Sequence, residues 1–383
     1  MDFNSVNSWI NLNSKSVKYI LLGFLFTLIS ACSTKGNTKS DNDLQVISIG
    51  EVTKDIGDNL ITDRSEIKLE LTDSSTLGPI DKMIMYKGKI YLLDIRVTKS
   101  LYIFNLEGEI LRRIHSIGEA EGQFYLPFDF NINQFSDEIN ILDVRQRRML
   151  NYDLEGNFKS QHKVNGQISD FASLNKDNFV FHMDGRQDDP TEKKELLQIA
   201  NKSNDSTFLS GVLEYGSTDY VKIFNSLTFS NERIIYMQSM HDSIYMVTEK
   251  EIKPIYSIDF NGHNIPSEIK GKDPMDFRQA LMTGDYYIVQ GNLFESDNLL
   301  TFSWERTSKT DSETIEYVWT LFNKNTDKSL SLTMNRFKEK YGFGPAQFAQ
   351  KGYFYSVNTI ESRSVSDTGE EENPTIVRYK INF

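Results

Sequence analysis

Asp94 and Arg96 stand in the same relation as Asp143 and Arg145, 49 residues further on. Each pair ends a strand-like run, Ile90-Tyr91-Leu92-Leu93 in the first case and Ile139-Asn140-Ile141-Leu142 in the second. An aspartate at a strand end can cap the backbone N–H groups of the turn that follows. An arginine just beyond it offers a planar fork suited to a carboxylate. Two such arginines would make a positive spot in a chain whose formal charge is −12. In the competing reading each arginine pairs with its neighbouring aspartate and only staples the corner. The other reactive types carry less. His115, His162, His182, His241 and His263 show no metal-binding spacing, and zinc needs three or four ligands. There is no Gly-x-Ser-x-Gly elbow and no Walker-type loop. Gly342-Phe343-Gly344-Pro345 lacks the lysine and reads as a turn. With 54 carboxylates, acid pairs of glycosidase type cannot be chosen by spacing. Among the aromatic residues Trp304, followed by Glu305-Arg306 at a strand exit, is the best exposed candidate for stacking on sugar or peptide. No cofactor is implied.

The elements that must carry these residues repeat. Gly88–Arg96 is echoed by Asp137–Arg145, and Leu101–Gly108 by Met149–Gly156, at offsets of 49 and 48 residues. Each unit reads as two alternating strands, a Glu-Gly turn whose glycine supplies positive φ, and a third strand. Ile80–Tyr86 and Phe128–Asn133 add a strand in front, making four. Four antiparallel strands per unit of about 45 residues is a propeller blade. The chain divides into six: Leu77–Ser116, Ile117–Val164, Asn165–Val212, Leu213–Phe260, Asn261–Met334 and Asn335–Phe383. The fifth is long enough to hold an insertion near Ile269–Asp285, with a short helix at Met275–Ala280. The last shows only three strands. Glu66–Leu71 alternates as a strand and is expected to close it, because a covered edge removes an aggregation liability. The fold class is therefore all-β, a six-bladed β-propeller over residues 60–383 closed by an N-terminal strand. Twelve per cent aromatic residues fit pleated, half-buried surfaces.

The lone cysteine, Cys32, ends Leu28-Ile29-Ser30-Ala31-Cys32. Before it run Lys15, Lys18 and an apolar stretch from Tyr19 to Ala31, about 13 residues, where a spanning helix needs roughly 20 and a signal core about 7–15. The segment resembles the lipobox of bacterial lipoproteins. That resemblance implies cleavage after residue 31, lipidation of Cys32 and attachment to the envelope through the lipid. Residues 32–59 then form a tether, most clearly over the small polar stretch Ser33–Asp43. No acidic cluster follows Cys32, which points to an outer-membrane, periplasm-facing position. With Cys32 acylated, no disulfide is available.

Gly118-Glu119-Ala120-Glu121-Gly122-Gln123-Phe124-Tyr125-Leu126-Pro127 resembles the start of an NHL-type blade, and Gly342–Phe348 is a looser copy. Glu119 and Glu121 stand where glycines are commoner. Lys68–Thr72, Ser100–Gly108, Asp242–Tyr245 and Leu321–Thr326 resemble the six-bladed propeller lipoproteins of unknown function from gut-type diderm bacteria. The resemblance implies fold and location and carries no activity. Zinc lyases and calcium-dependent sugar lactonases occur among related propellers. Asp94, Asp143 and Asn358 could hold calcium in that second mode, unless the two aspartates cap blade corners.

Loops leaving the second strand of each blade converge on one face. They carry Arg96, Arg145, His182, Gln238, Trp304, Arg306 and Asn358, the candidate ligand-binding set. Two functions follow. The first is a non-catalytic module, expected to be a monomer, that binds a protein, peptide or small molecule. The second is a calcium- or zinc-dependent hydrolase or lyase acting on a small or carbohydrate-like substrate. A strongly acidic chain is not a nucleic-acid binder.

Overall fold

The computed structural model describes residues 44–183, 196–210, 225–230, 233–270, 272–307, 315–358 and 372–383. Cys32, the leader and the Ser33–Asp43 stretch lie outside them. Among the described residues no helix is long and apolar enough to cross a membrane.

Six sheets make six blades. The first is β4 (Lys82–Tyr86), β5 (Lys89–Asp94), β6 (Ser100–Asn105) and β7 (Ile110–Ile114). The second is β8 (Pro127–Asn133), β9 (Glu138–Asp143), β10 (Arg148–Asp153) and β11 (Phe158–Lys163). The third is β12 (Ile168–Ser173), β13 (Asn178–Met183), β14 (Leu197–Asn201) and β15 (Thr207–Ser210). The fourth is β16 (Leu227–Ser230), β17 (Arg233–Met237), β18 (Ser243–Val247) and β19 (Ile252–Asp259). The fifth is β20 (Ile288–Ser296), β21 (Leu299–Thr307), β22 (Ile315–Asn323) and β23 (Lys328–Thr333). The sixth is β24 (Phe348–Gln350), β25 (Tyr353–Asn358), β26 (Thr375–Ile381) and, from the N-terminal side, β3 (Ile61–Lys68). The first strands β4, β8, β12, β16, β20 and β24 contact one another in sequence, and β24 returns to β4. That ring surrounds the axis.

Closure by an N-terminal strand holds, with its bounds shifted. β3 pairs antiparallel with β26 from Ile61↔Ile381 to Lys68↔Thr375. Leu69, expected inside the strand, instead leaves it and is buried with Leu77, Ile80 and Met83 of the first blade. Residues 44–59 are more than tether. β1 (Gln45–Ser48) adds parallel to β19, and β2 (Val52–Thr53) adds parallel to β23. Ile47 and Ile49 alternate inward and join the core shared by the fourth and fifth blades. The insertion of the fifth blade is helical, as α1 (Ser267–Lys270) and α2 (Pro274–Thr283). Asp273 caps α2 by accepting from the Met275 and Asp276 N–H groups, with Pro274 at the first helical position. A third helix, α3 (Met334–Tyr341), precedes the sixth blade.

The repeated residues hold the blades. Asn105 and Asp153 each accept two backbone N–H groups in the third turn, where Gly108 and Gly156 take φ of +89° and +81°. Asp94 accepts from the N–H groups of Gly78, Arg96, Val97 and Thr98. Asp143 accepts from those of Tyr125, Arg145 and Gln146. Both carboxylates are fully buried. The aspartates therefore cap blade corners, as in the second of the two roles considered for them.

Candidate functional site on the propeller axis

Three polar groups meet where the first strands begin. Lys82 Nζ lies 2.7 Å from Asp129 Oδ1 and 3.4 Å from Asp170 Oδ1. Its side chain is 14% exposed and the two carboxylates 6% and 7%, so the cluster is nearly withdrawn from water. Burial alone would lower the lysine pKa, but Asp129 and then Asp170 outweigh it and hold it above its ordinary value. The three residues come from three blades. Their aim is set by backbone irregularity, since the strand register slips just before each aspartate, between Pro127 and Asp129 and between Ile168 and Asp170. A bulge of this kind re-aims the next side chain.

The network continues into the fourth blade. Ser226 donates its hydroxyl to Asp170 Oδ2 at 2.8 Å, and His182 Nδ1 lies 3.3 Å from the same hydroxyl. Serine, histidine and aspartate are thus gathered, but not as a hydrolytic triad. The serine proton goes to the carboxylate, and Ser226 is wholly buried. Among the described residues no group of three or more His, Cys, Asp and Glu side chains is placed to hold a metal.

Beyond this cluster the axis opens into a cavity of about 410 Å³. Its walls come from the first strands of all six blades. Met83, Met85, Ile132, Phe229, Phe294 and Phe348 supply apolar surface, and Asn131, Thr228 and Glu295 supply polar groups. Gln134, Asp297, Gln350 and Lys351 form the far rim, in or beside the first-to-second-strand turns. The buried Glu295 carboxylate accepts from Arg233 at 2.8 Å and Lys324 at 2.7 Å. Asn131 donates to Ser173 across one blade boundary, and Thr228 donates to the Leu293 carbonyl across another. These bonds fix the wall.

The seven candidate residues do not share one pocket. Arg96 is exposed and pairs with Asp81 at 3.2 Å, not with Asp94. Arg145 lies over the Tyr125 ring at 4.7 Å. His182 is buried beside Ser226, with Tyr236 edge-on at 5.3 Å. Gln238 is buried and accepts from the Tyr236 hydroxyl. Arg306 is tied to Glu316 at 2.9 Å across its hairpin. Trp304 corrects the expectation of an exposed stacking platform. It is wholly buried, its ring stacks on Tyr287 at 4.7 Å, and its indole N–H donates to Thr320. The fifth-blade insertion brings Tyr287 there, which hides a ring that strand position alone would leave exposed. Asn358 lines a second, smaller cavity of about 270 Å³ between the fifth and sixth blades. Lys82, Asp129 and Asp170 were not singled out from sequence. The dipeptide Asp-Phe opening two first strands, Asp129-Phe130 and Asp170-Phe171, was the available signal.

The sequence matches the model of a domain family of unknown function, DUF4934, over residues 47–380. The chain belongs to that family. The match spans the whole propeller and agrees with the expected six-bladed family of unknown function. No curated protein matches the chain. Among solved structures, this family member is similar to a Bacteroides fragilis NCTC 9343 protein whose name marks it as exported. The TM-score is 0.72 at 17% identity, covering 88% of this chain and 100% of that one. A member of the DUF4221 family from Bacteroides vulgatus ATCC 8482 aligns with a TM-score of 0.54 at 12% identity, covering 84% of this chain and 97% of that one. Identities this low speak for the fold alone.

Proposed function

We propose that this DUF4934 protein is an envelope propeller, anchored through lipid on Cys32, that holds a small ligand in its axial cavity without converting it. One observation carries the reading: a cavity of about 410 Å³ walled by all six first strands, where Met83, Met85, Ile132, Phe229, Phe294 and Phe348 stand beside the fixed polar groups of Asn131, Thr228 and Glu295. Small-molecule sites have that volume and that mixture. The lipobox-like Leu28–Cys32 run supports the anchor, and the name of the Bacteroides fragilis neighbour agrees with export. Metal-dependent chemistry draws no support from the axis. The ammonium of Lys82 stands between the two carboxylates that would otherwise attract a cation.

The test compares wild type with Gln350→Trp, which places an indole over the cavity rim. Both proteins are exposed to an extract of envelope small molecules, and what they retain is identified by mass spectrometry. A compound retained by wild type and lost by the variant is expected. Equal retention refutes the axial site, and conversion of the retained compound on incubation refutes the non-catalytic role. The anchor is checked separately. Cys32→Ala should move the protein from the membrane to the soluble fraction and abolish palmitate labelling.

A further inference from the structure

We infer that the axial cavity selects an uncharged, hydroxyl-rich molecule of about the size of a sugar ring. The inference rests on the axial reading and adds the chemistry of what is held there. It comes from the hydrogen-bond polarity of the wall where the fourth and fifth blades meet. The register of β20 slips on either side of Gly291, whose φ is +86°, and Asn292 follows at +50°. The slip re-aims the Asn292 amide, which meets Asn225 of the fourth blade. Two backbone carbonyls of this stretch then decide which way each bond runs. The Ser303 hydroxyl donates to the Gly291 carbonyl at 3.0 Å, so it accepts from the Asn292 side-chain NH2 at 3.2 Å. The Asn292 oxygen is left to accept from the Asn225 NH2 at 3.1 Å. Thr228 donates its hydroxyl to the Leu293 carbonyl at 2.7 Å, which commits its proton and leaves its lone pairs.

Asn225 and Thr228 both line the cavity and are half-buried, so a molecule inside it reaches them. The blade boundary thus presents two acceptor oxygens, Asn225 Oδ1 and Thr228 Oγ1, that receive no donor among the described residues. What such a wall lacks is a donor. Charge is already met inside. Lys82 lies against Asp129 and Asp170, and Glu295 against Arg233 and Lys324. A charged molecule would leave water without an open counter-charge, a cost that a neutral donor avoids. On the exposed rim Asp297 and Lys351 supply one charge of each sign. The rings of Phe229, Phe294 and Phe348 face the same space and suit C–H surfaces. Hydroxyls along an edge and C–H groups on the faces satisfy both kinds of wall. About 410 Å³ admits one molecule of sugar-ring size.

Calorimetric titration of the whole protein with glucose, xylose and inositol, each beside its fully O-methylated counterpart, tests this. Methylation keeps every oxygen as an acceptor and removes every O–H donor. At least one polyol should bind, and its methylated counterpart should bind at least tenfold more weakly, the scale of one or two lost hydrogen bonds. Glucosamine and glucuronate, which add one charge of either sign, should bind no more tightly than that polyol. Thr228→Val, which loses the acceptor, should weaken the polyol about fivefold, and Thr228→Ser, which keeps it, should not. Gln350→Trp, on the rim, should abolish the binding. A polyol that binds Gln350→Trp as well as wild type refutes the axial reading itself. Methylated compounds that bind as tightly as the free polyols, and are lost in Gln350→Trp, leave the axial site standing and overturn its donor-selecting chemistry alone. Tighter binding of either charged sugar, or no binding of any polyol at about 100 mM, a hundredfold above a Kd of about 1 mM, also overturns the inference.

Discussion

Replacing Lys82 with methionine removes the ammonium and keeps most of the side-chain volume. The wild-type ammonium stands 2.7 and 3.4 Å from the carboxylates of Asp129 and Asp170. At an effective dielectric of about 20 these separations correspond to attractions of about 6 and 5 kcal/mol. Much of that is returned as the cost of withdrawing three charges from water. What remains is the penalty for leaving two buried carboxylates uncompensated, about 3–5 kcal/mol. The side chains are at most 14% exposed, so solvent screening takes little from this figure. Urea unfolding at pH 7, followed by tryptophan fluorescence, should therefore show a much lower midpoint for Lys82→Met. The pH dependence follows from the raised lysine pKa. A group held above its unfolded value stabilises fully below the unfolded pKa of about 10.5 and loses that contribution as pH rises through the folded one. The wild-type advantage should thus be constant from pH 7 to about pH 10 and shrink only in stronger alkali. Adding Asp129→Asn and Asp170→Asn to the methionine variant should restore most of the loss, because a neutral cluster of similar shape carries no orphan charge. A Lys82→Met protein within about 1 kcal/mol of wild type would refute this account of the axis.

Four further outcomes follow from particular positions. Asp143→Ala orphans the N–H groups of Tyr125, Arg145 and Gln146 at a buried corner, and should cost about 2–4 kcal/mol by the same unfolding assay. Gly108→Ala would bring a β-carbon within 2.0 Å of the Lys68 carbonyl, at the end of the closing strand, so it should destabilise by about 2–3 kcal/mol and promote aggregation by light scattering. Gly88→Ala has a similar φ of +76° but open space around it, and should cost only about 1 kcal/mol. Ser356→Ala removes a buried hydroxyl that has no partner, so the protein should gain about 1 kcal/mol in urea unfolding.

The architecture was legible because a propeller writes itself repeatedly. Two copies of the strand pair, at offsets of 49 and 48 residues, carried the strand length, the turn chemistry and the corner aspartates. The degenerate blades could then be placed by length. The first two N-terminal strands were not legible. Val52–Thr53 is too short to show a period, and Gln45–Ser48 follows a polar stretch that reads as linker. The closing strand was legible in existence but not in extent. Leu69 continues the alternation of Ile67, yet it is claimed by the neighbouring blade's core. The axial cluster was hidden for a different reason. Asp129 and Asp170 reach Lys82 only because the strand slips before each of them, and in strands this short the residue types alone do not fix where the slip falls. Trp304 was misread because its partner, Tyr287, enters from the insertion and not from the same sheet pair.

Those differences separate the residues that every blade needs from those that break the repeat. Asp94 and Asp143 occupy equivalent positions in two blades and spend their carboxylate oxygens on backbone N–H groups. A position fixed by the repeat is fixed by what every blade needs, which is a turn. The axial residues break that equivalence. The first strands present Lys82, Asp129 and Asp170 at one level of the axis in three consecutive blades, and Ser226 just before the fourth. A cation and two anions at matching positions cannot come from blade folding alone, since any one blade would fold with an uncharged residue there. Their mutual attraction and the Ser226 hydrogen bond instead tie blades one to four to each other around the ring, and the cavity beyond keeps its shape because its wall is braced on both sides. On the proposed reading, ligand contacts fall to positions that no repeat constrains, among them the rim residues Gln134, Asp297 and Gln350 of the axial cavity.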